Sequence, residues 1–322
     1  MKPAVLLFAC IAAFVASPQA RAADEWPTRT VRIVAPFPAG GATDAVARLL
    51  AARLTESFGQ QVLVENRPGN SGNLGAEAVA RGSPDGTTLL LGGGNLVQNP
   101  FILGARAVHP LNALTPIARV VVQPVIVSSG MQFPARTLGE TIALARRDPG
   151  RMTYATTGVG TTPHVAAILL SSRADIEMLH VPYPAAAAPQ KDVIAGEVAL
   201  SFSLPAVVVP LIDQKLLRGL AVTGPARIAA LPEVPTVAES GVSGVDIVSW
   251  YGLFAPAGTP PSIVARIERD LARVLEAPDV RARLVSLGTD PAYLGTQAFG
   301  TTIREDLARL GPILTALGLK PE

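Results

Sequence analysis

Two rhythms of apolar residues alternate along the chain. Val31-Arg32-Ile33-Val34-Ala35 is a short β-type run. From Asp44 to Phe58, residues Val46, Leu49, Leu50, Leu54 and Phe58 recur on one side of a helix, and Gly59 stands where a C-terminal cap would end it. The succession continues with a strand at 62–64, a helix at 75–81, a Pro84-Asp85-Gly86 turn and a strand at 87–91 that runs into Gly92-Gly93-Gly94-Asn95. This order predicts a parallel sheet with covering helices. A second unit begins near Pro124. Its strands are predicted at 125–128, 152–155, 177–181, 198–202 and 217–222, and its helices at 138–147, 161–172, 187–195 and 206–214. The tail turns helical at 263–276, 279–287 and 298–317, and Trp250 to Phe254 is expected to cross back into the first unit. The fold class expected is α/β, with two lobes: a discontinuous one at 23–122 plus 250–322 and a second at 123–249.

The first 22 residues stand outside this pattern. Met1-Lys2-Pro3 is a basic start, an apolar run extends from Ala4 to Ala16, and Ala20-Arg21-Ala22 offers small residues around a cleavage point. That is the layout of a secretory signal peptide cut near Ala22. Cys10 falls too early for a lipoprotein signal, because the apolar run continues past it. Without the leader the chain has no cysteine, which excludes disulfides, thiol nucleophiles and thiolate metal sites. Loss of Lys2 and Arg21 leaves 25 basic residues against 25 acidic ones, and a neutral mixed surface argues against nucleic acid as partner. The 300 residues that remain exceed the usual single-core size, so two lobes are the natural division.

Two loops carry candidate chemistry. Pro36-Phe37-Pro38-Ala39-Gly40-Gly41-Ala42-Thr43-Asp44 joins a strand to a helix. Gly40 and Gly41 allow backbone N–H groups to turn outward, and the first turn of a helix has unsatisfied donors and partial positive charge. The loop therefore reads as a seat for an anion, and equally as a tight turn capped by Thr43 or Asp44. Thr156-Thr157-Gly158-Val159-Gly160-Thr161-Thr162-Pro163-His164 repeats this grammar in the second unit, with Pro163 suited to a first helical turn. Ligands of open α/β sheets bind outside the carboxyl ends of strands, so two such seats facing each other would hold the two ends of one small anion. Neither offers a fixed cation. His180-Val181-Pro182-Tyr183-Pro184-Ala185 ends a strand at the same edge; Tyr183 reads as cleft lining or as core, and His180 as core. Asn95 and Ser203, also near strand ends, complete a candidate ligand-binding set of Phe37, Ala39, Gly40, Gly41, Thr43, Asp44, Asn95, Thr156, Thr157, Gly158, Gly160, Thr161, His164, Tyr183 and Ser203.

Enzyme signatures are missing. Gly69-Asn70-Ser71-Gly72-Asn73 lacks the last glycine of a nucleophile elbow, Gly158-Val159-Gly160 lacks the third glycine of a dinucleotide loop, and three scattered histidines have no metal spacing. No catalytic residue, metal or cofactor is expected. A hydrolase or lyase on the same scaffold is the competing class, and it would depend on His164 or Asp44.

The chain resembles the Bug family of extracytoplasmic solute receptors, the substrate-binding proteins of tripartite tricarboxylate transporters. The marks are Trp26-Pro27, the loop from Pro36 to Asp44, Val64-Glu65-Asn66-Arg67-Pro68-Gly69, Pro84-Asp85-Gly86, Thr157-Gly158-Val159-Gly160 with His164, His180-Val181-Pro182-Tyr183, Pro232-Glu233-Val234-Pro235-Thr236 with Glu239, and Trp250-Tyr251-Gly252-Leu253 with Ala255-Pro256. The resemblance implies a type II periplasmic-binding-protein fold that closes on a small carboxylate or amino-acid-like ligand, held through the loops at 37–44 and 156–164 and partly through water. It implies a periplasmic monomer that delivers to a membrane permease or to a sensor kinase. Asp44 would lie near the ligand or cap its helix, while Glu65, Asn66 and Arg67 look structural. Ala39 departs from a usual proline, threonines replace usual serines in the second loop, and Tyr183-Pro184-Ala185 replaces a tyrosine-basic-glycine run. Pro184 has no N–H to donate, so a more apolar distal pocket is expected, suited to an aromatic or branched carboxylate.

Overall fold

The structure, a computed structural model, describes residues 26–183 and 188–316. The expected leader with Cys10 and Ala22, the Pro184-Ala185 pair, and the end of the last helix at Leu317 lie outside them. Eleven strands occur among the described residues: β1 (Val31–Ala35), β2 (Val62–Asn66), β3 (Thr88–Gly93), β4 (Leu114–Pro124), β5 (Ile126–Gly130), β6 (Met152–Thr156), β7 (Met178–Pro182), β8 (Leu200–Ser203), β9 (Leu217–Val222), β10 (Val248–Pro256) and β11 (Asp290–Gly295). The helices are α1 (Ala42–Phe58), α2 (Asn73–Ala80), α3 (Asn95–Ile102), α4 (Leu138–Arg147), α5 (Thr162–Ala174), α6 (Ala188–Ala195), α7 (Pro205–Asp213), α8 (Pro261–Glu276), α9 (Pro278–Ser286) and α10 (Thr296–Ala316). Among the described residues no helix is long and apolar enough to cross a membrane.

The strands form two sheets, one with spatial order β11-β4-β10-β3-β1-β2 and one with order β7-β6-β8-β5-β9. The expected helix–strand alternation puts helices over both. In α1, Val46, Leu50 and Leu54 are fully buried, and the Gly59 N–H closes the helix on the Thr55 carbonyl at 3.1 Å. The parallel pairing expected for the first three strands holds, β1 pairing parallel with β2 and β3, but the sheet as a whole is mixed: β10 runs antiparallel to both β3 and β4, and β11 antiparallel to β4. The returning segment at Trp250 enters the first sheet from the opposite direction, which no helix–strand pattern reveals. Phe299 of α10 packs edge-on to Trp250 at 5.1 Å between ring centroids and lies 5.3 Å from Phe254, so the tail is anchored beneath that returning strand.

Three elements were not expected from the pattern. β4 is buried along most of its length and interrupted by Pro116 and Arg119, so it shows neither alternation nor a clean apolar run. α3 follows three glycines and contains Pro100, both helix-breaking signals. β11 is a short edge strand with a register shift and contains Pro291.

The chain passes between the sheets twice, through Val125 after β4 and through the segment before β10. Thr223 ties these passages together. Its backbone N–H donates to the Val125 carbonyl at 2.9 Å, its hydroxyl accepts from the Val125 N–H at 2.9 Å, and the same hydroxyl donates to the Ile247 carbonyl. The side chain is buried, so replacing it by an isosteric apolar residue strands a donor and an acceptor away from water. Thr223→Val is expected to lower stability by about 1–3 kcal/mol in urea denaturation, with Thr223→Ser closer to the parent; equal stability of all three would contradict this role.

Candidate functional site

The loop between β6 and α5 is built on a stack of rings. Tyr154, His180 and His164 lie face to face, with centroids 5.0 Å apart for Tyr154–His180 and 4.1 Å for His180–His164. The Thr156 hydroxyl is 2.7 Å from His180 Nε2 and accepts the Gly158 N–H at 3.2 Å. His164 Nδ1 accepts the Gly160 N–H at 3.1 Å, so that nitrogen carries no proton. Burial, helped by the neighbouring His180, pushes the His164 ring down to about 3, and burial shifts His180 in the same direction. Both rings are neutral supports of the loop rather than cations. The Thr161 hydroxyl donates to the Gly158 carbonyl at 2.9 Å and closes the turn. Gly158 and Gly160 have φ of 120° and 74°, conformations that side chains disfavour, and a methyl group on Gly160 would overlap Ile102 of α3.

The matching loop in the first lobe behaves differently. Asp44 sits buried in the first turn of α1, where its Oδ2 accepts the Gly40 N–H at 3.0 Å and Arg48 Nε at 3.0 Å. The Arg48 guanidinium above all, with the Gly40 N–H, holds this carboxyl below its ordinary range despite burial. The Gly41 N–H donates to the Pro38 carbonyl. Of the two readings of this loop, the tight turn closed by Asp44 is the one the hydrogen bonds show: the chain's own carboxylate takes the Gly40 N–H. Ala39, Gly40 and Gly41 are exposed, Phe37 is half-buried with its carbonyl accepting from Asn66 at 3.1 Å, and Thr43 is buried beside the Tyr251 hydroxyl.

A cavity of about 320 Å³ opens between the lobes, lined by Asn70, Ser71, Ile102, Leu103, Thr157, Gly158, Val159, Thr161, Pro182 and Tyr183. From the expected set it takes Thr157, Gly158, Thr161 and Tyr183. The first lobe contributes the turn between β2 and α2 and the end of α3 in place of the 36–44 loop. Asn70 and Ser71 adopt left-handed backbone at φ 47° and 49°, flanked by Gly69 and Gly72, and the Asn95 and Asn99 side chains fix this turn by donating to the Ser71 carbonyl. Asn95 thus acts behind the cavity wall. Thr156, Gly160 and His164 support the opposite loop from beneath. Ser203 lies apart, buried, accepting from Gln190 at 2.9 Å within the second lobe. The signal that could have found Asn70 and Ser71 is the same strand–glycine turn–helix grammar used for the other two loops. Among the described residues, the amides of Asn70, Ser71, Thr157, Val159 and Thr161 have no hydrogen-bond partner. Across the cleft, Gln98 of α3 donates to the Thr162 hydroxyl at 3.1 Å. Among the described residues no three His, Cys, Asp or Glu side chains converge as a metal site.

The buried histidine gives a pH dependence with a definite sign. An unfolded chain protonates His164 near pH 6.5, whereas the folded chain does so only near 3, so its contribution to stability is complete above the first value and is lost as pH falls toward the second. His164→Gln keeps an acceptor for Gly160 and removes the titration. Between pH 7 and 4.5 the variant is expected to lose less stability than the parent, by about 2 kcal/mol in urea midpoints; identical losses would contradict a neutral buried ring.

The sequence profile described as tripartite tricarboxylate transporter family receptor matches residues 46–319. A UPF0065 protein from Pseudomonas sp. is 36% identical, covering 89% of this chain and 86% of its own length. An R. palustris structure with adipate superposes with a TM-score of 0.82 at 32% identity, covering 92% of this chain and 99% of that one. MatC from Rhodopseudomonas palustris, with bound malate, superposes with a TM-score of 0.78 at 30% identity, covering 90% and 100%. With the two-lobed fold and the cavity between its lobes already in place, the chain belongs to the tripartite tricarboxylate transporter receptor family, the Bug family.

Proposed function

We propose that the protein is a periplasmic receptor that captures a small carboxylate-bearing solute between its lobes, leaves it chemically unchanged and presents it to a membrane permease of the tripartite type. The lobes, at 23–122 plus 250–322 and at 123–249, would close about the passages that Thr223 ties together. The observation that carries this reading is the cavity: loops from both lobes line it, five of their peptide N–H groups have no partner among the described residues, and none of its lining residues is charged. A hydrogen bond to a charged group contributes about 1.5–3 kcal/mol, and micromolar binding needs about −8 kcal/mol. Five amides with the Thr157 hydroxyl are sufficient for that after ordering costs, with no need of a fixed cation. The relatives solved with adipate and malate support the carboxylate class. Binding is assigned to Asn70, Ser71, Thr157, Gly158, Thr161 and Tyr183. The start of α1 is left out, because ionised Asp44 already fills it and would repel a second anion. Catalysis would need a free acid or base at the cavity, and His164 is neutral, buried and engaged with Gly160.

A thermal-shift screen of carboxylic acids followed by calorimetry tests the reading, because a bound ligand stabilises by mass action. At least one acid is expected to bind one to one and to be recovered unchanged by mass spectrometry. A screen without a binder, or turnover of the bound acid, would contradict it. Thr161→Val, which removes the hydroxyl bracing Gly158, is expected to weaken the best ligand by about three- to tenfold while the unliganded protein stays folded.

A further inference from the structure

The cavity wall mixes two kinds of residue. Asn70, Ser71, Thr157, Gly158 and Thr161 are polar or expose backbone, and Ile102, Leu103, Val159, Pro182 and Tyr183 carry apolar side chains or a ring. The unpartnered amides, that of Val159 included, can solvate one carboxylate. Among the described residues the apolar part of the wall offers no side-chain cation to meet a second. Tyr183 spends its hydroxyl proton on the Asp192 carboxylate, so that hydroxyl is not free to donate to a ligand, and an acid stands beside it. Pro182 has no N–H. Arg106, the first basic residue after Leu103, is exposed and outside the lining. A carboxylate pressed on such a wall loses its water and gains no partner, whereas a ring or branched alkyl group loses only unfavourable hydration. The volume lies at the small end of solute pockets, which run from about 300 to 1,000 Å³, so one compact apolar body fills it.

Building on the receptor reading, we propose that this site selects monocarboxylates with a compact apolar body, aryl or branched alkyl, over dicarboxylates. The carboxylate sits on the 157–161 loop and the 70–71 turn, and the body lies against Ile102, Leu103 and Tyr183.

Calorimetry on the full chain without its leader tests this with phenylacetate and 4-methylpentanoate against succinate, malate and adipate. At least one of the first pair is expected to bind about tenfold or more tightly than every dicarboxylate, the scale of discrimination that a well-fitted apolar group provides. Leu103→Lys places a cation on the apolar wall and is expected to move the ratio toward adipate by about tenfold. Leu103→Ala, which disturbs folding less, is expected to weaken the apolar acids by about tenfold and the dicarboxylates by much less. A dicarboxylate that matches or exceeds the apolar acids, or falls within tenfold of the better one, overturns the selectivity and leaves the receptor reading intact. Binding of neither class overturns both.

Discussion

Peptide N–H groups left without partners at the rim of a cleft are the constraint on which this arrangement depends. A peptide N–H that the fold leaves free at such a rim can donate to a guest, and a hydrogen bond to a charged group contributes about 1.5–3 kcal/mol. Here the loop from Thr157 to Thr161 and the turn at Asn70 and Ser71 leave such groups free on opposite lobes. Each is held open by groups behind it. The histidine stack and the Thr156 hydroxyl fix the first loop; Asn95 and Asn99 fix the second through the Ser71 carbonyl. The site is neutral and preorganised by dipoles, and the side chains supply the scaffolding.

The two helix starts that look alike in sequence have opposite fates. Both α1 and α5 follow a strand and a glycine turn. In α1 an acid stands in the first turn, folds back on Gly40 and is held ionised by Arg48, so the positive end of the helix is neutralised from within. In α5 the corresponding side chain is a neutral imidazole, which accepts one N–H and adds no charge. The first turn of α1 therefore carries an ionised acid where that of α5 carries a neutral ring.

This contrast also explains what was legible in the chain. Helices with clean spacing, such as α1 and α4, and strands bounded by turns were readable because periodicity is local. The return of Trp250 to the first sheet was readable as an event but not in direction, since direction depends on where the chain has been. β4 was hidden by its two-sided burial, and α3 by the glycines before it and the proline within it. The glycines and hydroxyls of the loop at Thr157 marked a turn that the fold places at the cavity. At the loop before α1 both readings stood in the sequence, and only the fold chose Asp44 as its closure, because a cap and a ligand seat share one sequence grammar. Asn70 and Ser71 were visible as a failed nucleophile elbow; only the fold brings that turn opposite the second lobe.

Amide hydrogen exchange, with and without a saturating ligand, tests the central claim most directly. The account predicts that the amides of Asn70, Ser71, Thr157, Val159 and Thr161 become protected together on binding, while those of Gly40 and Gly41 keep the rates of the empty protein. Protection centred on Gly40 and Gly41, with the turn at Asn70 unchanged, would contradict it.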